Sequence, residues 1–388
     1  MRFFHNAAAF AMAATLVSAL ALAPGVARPG DVAPSPPFRP TPPPTVTIDA
    51  VGDVMLGWGV NALVQTGDPD APFAHVQDVL SHADAIVGNL ECSLSDRGVP
   101  TKAKSPKDLK ARKEFLLRGS PTAALGLAQA GFAAMTLANN HSFDYGADAL
   151  DDTLAALHDN GIATAGAGDN AVEAWTPAFF ERRGVRFALI GLSSIIPRGY
   201  AAGKQTPGIA PGRDTSTGDV TAGYLRTLGH AIRIARQHAD IVIIYEHWGK
   251  ELVSAPSSDE ERLAHAAIDD GAALVLGAHP HVLGPVERYG RGLIAYSLGN
   301  FVFDTQPGVQ THSAILEITL RDGSVAAWRA VPVSLQGGVP VPASAAVAAE
   351  VGRVLDGEEA ITPPAPAPRG LPPHSAKAAV QHGPPSRT

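Results

Sequence analysis

The chain of 388 residues has one cysteine, Cys92, and so no intramolecular disulfide. Its stability must come from a packed core or from bound metal. No cysteine lies near the amino-terminal apolar segment, so a lipid anchor is not expected there. Charged residues make up only 17% of the chain and the formal net charge is −7. There is no basic run of the kind that tracks a phosphate backbone, and nucleic acid is not expected as a partner. No internal repeat appears, and no second linker interrupts residues 46–359. The apolar stretch Ala7 to Ala23 is rich in alanine and only weakly hydrophobic. A spanning helix usually needs ~20 strongly apolar residues.

What is present at the ends reads as export and tethering. Arg2, the apolar stretch and the small residues around Ala21-Leu22-Ala23 and Val26-Ala27 have the layout of a secretory signal peptide, residues 1–27. The expected location is periplasmic, cell-surface or secreted, with an uncleaved membrane anchor as the lesser reading. Residues 28–45 are expected to form a proline-rich tether and 360–388 a disordered tail of the same character. Residues 46–335 are expected to make one domain, followed by an extension, 336–359, with room for a helix.

Inside the domain one local pattern recurs. Apolar runs end abruptly in polar residues, and a helical stretch or loop follows. Thr45 to Val51 leads to Gly52-Asp53, and Ala85 to Val87 leads to Gly88-Asn89-Leu90-Glu91. Ala133 to Leu137 leads to Asn139-Asn140-His141, and Ile241 to Tyr245 to Glu246-His247. Ala273 to Leu276 leads to Gly277-Ala278-His279-Pro280-His281. Continuous apolar runs read as strands buried on both faces. Helices are expected over Pro121–Ala130, Ala147–Asp159, Asp219–His238 and Ser257–Asp270. The class is α/β, in which sites gather beyond the carboxyl ends of strands. Leu293 to Tyr296 is a further strand, ending at Ser297-Leu298-Gly299-Asn300. Two alternating runs, 314–320 and 325–333, flank Asp322-Gly323 and predict a hairpin. These later strands are expected to form a second sheet packed on the first.

Asp53, Glu91, Asn140, His141, His247, His279 and His281 combine carboxylate oxygens with imidazole nitrogens, a donor set suited to Zn, Mn, Fe or Ni. A carboxylate can bridge two such ions, and a pair of ions can clamp a phosphoryl group. Alone, an Asp after a strand is usually a turn or cap residue. The His279/His281 pair is the stronger signal. Cys92, beside Glu91, is a conceivable soft ligand, but a free cysteine is more often a small buried residue. Gly52 would let the backbone approach closely beside Asp53.

The order of these motifs, GDVMLG (52–57), GNLECSL (88–94), LANNHSFDYG (137–146), EHWGKEL (246–252), GAHPHVLG (277–284) and YSLGNFVFD (296–304), resembles the CapA family of poly-γ-glutamate capsule synthesis. The resemblance covers nearly all of residues 46–335. That family is similar in turn to calcineurin-like metallophosphoesterases, which implies a four-layer α-β-β-α sandwich. It implies Asp53 and His281 on a first metal, Glu91 as the bridge, and Asn140, His247 and His279 on a second. It makes His141 the acid that protonates a leaving oxygen. Asn89, Asn139, Asp144, Glu251 and Asn300, with Trp248 and Asp304, are substrate or supporting candidates. The cofactor implied is one or two divalent transition metals, Mn, Fe or Zn. One departure stands out: the wider superfamily has Asp-x-His where this chain has Asp53-Val54-Met55, and Met is a poor ligand for a hard cation. The function implied is exported capsule synthesis with a metal-dependent phosphoesterase-like hydrolase site. Its partners would be an anionic polymer or phosphoester and capsule-synthesis membrane proteins. The alternative is a non-catalytic metal-bearing component that binds, assembles or exports the polymer.

Overall fold

Strand β1 (Thr45–Val54) is almost entirely buried, because its apolar side chains face packed layers on both sides. The computed structural model describes residues 44–304 and 308–360. The expected signal segment, nearly all of the proline-rich tether and the tail lie outside them. The remaining strands are β2 (Ala85–Leu90), β3 (Phe132–Thr136), β4 (Ala163–Ala165), β5 (Ala178–Arg182), β6 (Val185–Ser193) and β7 (Ile241–His247). Then come β8 (Leu274–Ala278), β9 (Val286–Tyr289), β10 (Gly292–Ala295), β11 (Asn300–Val302), β12 (His312–Arg321), β13 (Ser324–Gln336) and β14 (Val339–Pro342). Two further two-residue pairs, Ser93–Leu94 with Arg118–Gly119 and Ala167–Gly168 with Gly208–Ile209, tie loops together.

One sheet has the order β14-β13-β12-β1-β2-β3-β4, with β11 paired to the end of β1. The other has the order β9-β10-β8-β7-β6-β5. Ile48, Val87, Leu316 and Ile318 of the first pack against Leu189, Ile243, Leu274 and Leu276 of the second. Helices α1 (Trp58–Gln65), α2 (Gln77–Leu80), α3 (Pro106–Lys110), α4 (Ala123–Ala130) and α5 (Ala147–Asp159) belong to the first half. Of these, α1, α4 and α5 cover the outer face of the first sheet through Val60, Leu127 and Leu150. After the short α6 (Ala171–Ala174), α7 (Ala222–Ala235) and α8 (Ser258–Asp269) cover the second through Leu228, Ile232 and Leu263. The layers are therefore α-β-β-α. Helix α9 (Ala345–Leu355) sets Val351, Val354 and Leu355 against Val282, Leu283 and Ala314. Among the described residues no helix is long and apolar enough to cross a membrane.

The helix ends follow local chemistry. Ser257 and Glu260 form a capping box at the start of α8, and Thr221 accepts from Tyr224 N at the start of α7. Helix α4 stops at Gly131, whose φ of 103° suits glycine. One expectation is corrected. The hairpin β12–β13 does not found the second sheet; it extends the first, with β12 antiparallel to β1 in the register Ile48↔Ile318. Its alternating apolar residues fill the space between the sheets from the first sheet's side. The second sheet grows instead from parallel strands, including β6, which carries no motif.

Candidate metal centre

Strand ends from both sheets converge on one buried cluster. The ladder between β1 and β2 slips between Ala50 and Asp53, and such an irregularity re-aims the side chain that follows it. Asp53 is fully buried; its Oδ1 accepts from Asn89 Nδ2 at 2.9 Å and its Oδ2 from His279 N at 3.2 Å. His281 Nδ1 lies 3.2 Å from Asp53 Oδ2 and 2.9 Å from Asn300 Oδ1. His247, at the end of β7, sets Nε2 2.8 Å from Asn140 Oδ1, while Nδ1 is 3.3 Å from Asn89 Nδ2. The His247 and His279 ring centres are 4.8 Å apart.

Glu91 is the hub. Its Oε1 lies 3.9 Å from Nε2 of His141, of His247 and of His281 alike. Both Glu91 oxygens and His279 Nδ1 are buried with no hydrogen-bond partner among the described residues. Asp53, Glu91 and His281 each offer a ligand atom within 4.8 Å of the others. A buried carboxylate left unpaired is costly, and a divalent cation is a partner that would remove the cost. The residues present therefore fit a divalent metal.

The electrostatics agree. Burial, then the Asp53 charge, holds the Glu91 carboxyl well above the usual range. Burial and the neighbouring charges, His281 first, push His279 down to about 3, and burial likewise holds His247 far below its ordinary value. These imidazoles are neutral at pH 7, the form that ligates metal. For His281, burial opposes the charge, but the Glu91 and Asp53 carboxylates outweigh it and push the group up to about 10. The carboxylates thus favour positive charge at His281, and a metal would bind there by displacing its proton.

His141 faces the same hub from a second network. Its Nδ1 is 2.8 Å from Asp144 Oδ2 and 3.0 Å from Lys104 Nζ. Asp144 Oδ2 also accepts from Leu117 N at 2.8 Å, and its Oδ1 accepts from Tyr200 OH at 2.8 Å and from Lys104. Asp144 therefore stands behind His141 and orients it. Asn139 is likewise a support: Nδ2 donates to Asn89 Oδ1 and Leu90 O, and Oδ1 accepts from His141 N and Ser142 Oγ. Asn300 donates to the backbone of His281 and Gln310. Glu251 is exposed, and its charge acts on His281. Asp304 accepts from Gly59 N at 3.1 Å, at the start of α1. Trp248 is buried against Tyr296. Met55 turns into the hydrophobic core and accepts from Gly57 N through sulfur. Cys92 is buried, and burial pushes its thiol up to about 12, so it packs as a neutral group. Lys104 and Tyr200 were not legible as site residues: neither lies in a motif, and only the tertiary fold brings them to Asp144.

The model of the family described as bacterial capsule synthesis protein PGA_cap matches residues 47–305. The chain is 34% identical to the capsule biosynthesis protein CapA of Bacillus anthracis over 304 residues, covering 78% of this chain and 70% of that protein. It is 31% identical to the PGA biosynthesis protein CapA of Bacillus subtilis (strain 168), covering 75% and 72%. Among solved structures, a hypothetical protein of Thermus thermophilus aligns with a TM-score of 0.44 at 15% identity, covering 75% of this chain and 100% of that one.

Proposed function

Because the chain belongs to the bacterial capsule synthesis protein family PGA_cap, we propose that it acts in poly-γ-glutamate capsule synthesis through a metal-dependent hydrolytic centre. The observation that carries this reading is Glu91, a buried carboxylate with no hydrogen-bond partner among the described residues, ringed by three imidazole nitrogens at 3.9 Å. Asp53, Glu91, Asn140, His247, His279 and His281 would hold one or two divalent transition metals of the Mn, Fe or Zn kind. A bound metal would supply Lewis-acid polarisation of a phosphoryl or carbonyl oxygen. The chain's own residues do the rest. Asp144 accepts from His141 Nδ1 and fixes the ring so that Nε2 points at the hub. Burial disfavours the charged imidazole and the Asp144 charge favours it, and it is in that doubly protonated form that Nε2 would hand its proton to the leaving oxygen of a phosphoester or related bond. The cluster lies within the fold, which keeps bulk water away from the reacting groups. The amino-terminal segment fits export to the periplasm, cell surface or medium, and the partners would be an anionic polymer and capsule-synthesis membrane proteins.

The test couples metal content to turnover. Purified protein from metal-supplemented medium should carry one or two transition ions per chain, counted by elemental analysis. His141→Ala should keep its metal and lose ~10²–10⁴-fold in rate, the range of general acid catalysis. The loss should be smaller on a nitrophenyl ester, whose leaving oxygen needs little protonation. His279→Ala should lose metal and fail on every substrate. Metal loss in His141→Ala would make it a ligand instead. A metal-loaded parent with no turnover on a broad panel would favour the non-catalytic role in binding or exporting the polymer.

A further inference from the structure

We propose that the segment 102–113 is a basic lip that takes a carboxylate-bearing polyanion and leads it to the metal centre. This rests on the capsule-polymer reading above and assigns that polymer a docking surface. Five of the eight lysines in the chain lie here, Lys102, Lys104, Lys107, Lys110 and Lys113, together with Arg112, which corrects the expectation that the sequence holds no basic run. The segment has one acidic residue, Asp108, and its carboxylate is held by Ser105 Oγ. Elsewhere the chain carries more acidic than basic residues, so this concentration of charge runs against the composition.

The fold divides these cations into two groups. Lys104 turns inward, is buried, and ends on Asp144, His141 Nδ1 and Phe115 O. Lys102, Lys107, Lys110, Arg112 and Lys113 are exposed on and around α3, and among the described residues none of them forms an ion pair. Both feet of the segment stand on the site. Thr101 N donates to Asp144 O at 2.7 Å, and Leu117 N donates to Asp144 Oδ2 at 2.8 Å. The segment that carries these cations is thus tied, just beyond each of its ends, to the residue that orients His141. Beside them Phe115 meets Trp58 edge to face at 5.5 Å, and both rings are partly exposed. A row of cations with apolar contacts next to it suits a flexible chain with a carboxylate on every repeat and methylenes between. An anionic membrane surface would also attract the cations. A membrane patch, however, has no need to be rooted on Asp144, so the polymer is favoured.

The test uses the full purified chain with two probes, poly-γ-glutamate and vesicles containing phosphatidylglycerol, at low and at physiological ionic strength. Three sets of substitutions are compared with the parent. The first is Lys107→Gln/Lys110→Gln/Lys113→Gln, the second puts Arg at the same three positions, and the third is Arg226→Gln/Arg291→Gln, exposed residues elsewhere. The Gln set should bind the polymer roughly tenfold more weakly, with a flatter salt dependence. The Arg set and the distant control should bind like the parent. Polymer binding unchanged in the Gln set, or absent from the parent, would overturn the proposal. So would lysine-dependent capture of the vesicles without capture of the polymer. Metal content measured on the same samples keeps the two readings apart. Lysine-dependent polymer binding by a parent chain that carries no metal would sustain the lip and remove the metal centre.

Discussion

Asp49 places a carboxyl inside β1, about 1% exposed, with neither oxygen hydrogen-bonded among the described residues. Its register partner is Glu317, and burial followed by the Glu317 charge pushes it up to about 8, against an ordinary value of 3.8. The native chain therefore keeps a proton that the unfolded chain has lost at neutral pH. Stability falls as the pH rises from about 4 to about 8 and changes no further from this group above that. Asp49→Asn removes the titration. At pH 8 the variant should be more stable than the parent by at least about 1 kcal/mol, because the parent has by then lost the stability linked to the Asp49 proton and the amide has none to lose. The gap should close toward pH 4. Urea melts at the two pH values check this, and equal stabilities at pH 8 would mean that Asp49 has found a partner. At this scale the sequence motifs mark Asp53, Glu91, His141 and the histidine pair. They do not mark Asp49 or Lys104, because an acid or a lysine in a short stretch carries no sign of which layer its side chain will enter.

The end of β1 is the element that the centre depends on most. It is inserted between β2 and β11, with Asp53 opposite Asn89 on one side and Asn300 on the other. Gly52 makes the insertion feasible: a Cβ there would sit 1.9 Å from Gly299 O, one residue from the Asp53 N to Gly299 O bond of 2.9 Å. Gly52→Ala must push β11 away and carry Asp53 and Asn300 with it. A loss of about 1–3 kcal/mol, as for overpacking of a tight interior, should appear in urea melts together with a lower metal content. Full metal loading in a stable variant would show that β11 can yield without disturbing the ligands. The loop after β8 is the second such element. His279 and His281 have φ of 93° and 57°, unusual for residues with side chains, and such strain of ~1–3 kcal/mol is found where function requires it. Prediction of the hairpin around Asp322-Gly323 was sound because an Asp-Gly turn is local chemistry. Its assignment to the second sheet failed because pairing with β1 is a contact between residues far apart in the chain.

For the whole molecule, the centre joins the two sheets. Asp53, Asn89 and Glu91 come from the first, and His247, His279 and His281 from the second. A cation held there binds only the folded chain, so its removal should be felt globally. Chelation should lower the melting temperature, and added Mn or Zn should restore it. The expected stabilisation is about 2.7 kcal/mol at a hundredfold excess over Kd, a rise of a few degrees in the melting temperature. Glu91→Gln should lose this response. It should also melt above the chelated parent, because it relieves the repulsion between Glu91 and Asp53. Calorimetry with and without chelator decides the matter; a parent whose melting is indifferent to both chelator and metal would count against the centre.

The sequence by itself determined the α/β class, most strand ends and the polar side chains that stand beyond them, since apolar runs buried on both faces and the polar residues that follow are written in consecutive positions. Helices α5 and α8, expected as the stretches between strands, were legible to within a residue at each end. Only the tertiary structure decided which strands share a sheet, that one Glu91 oxygen lies equally far from three imidazoles, and that Lys104 turns inward while its neighbours face solvent. Those facts depend on contacts between segments tens to hundreds of residues apart, and such contacts are set by how whole layers pack.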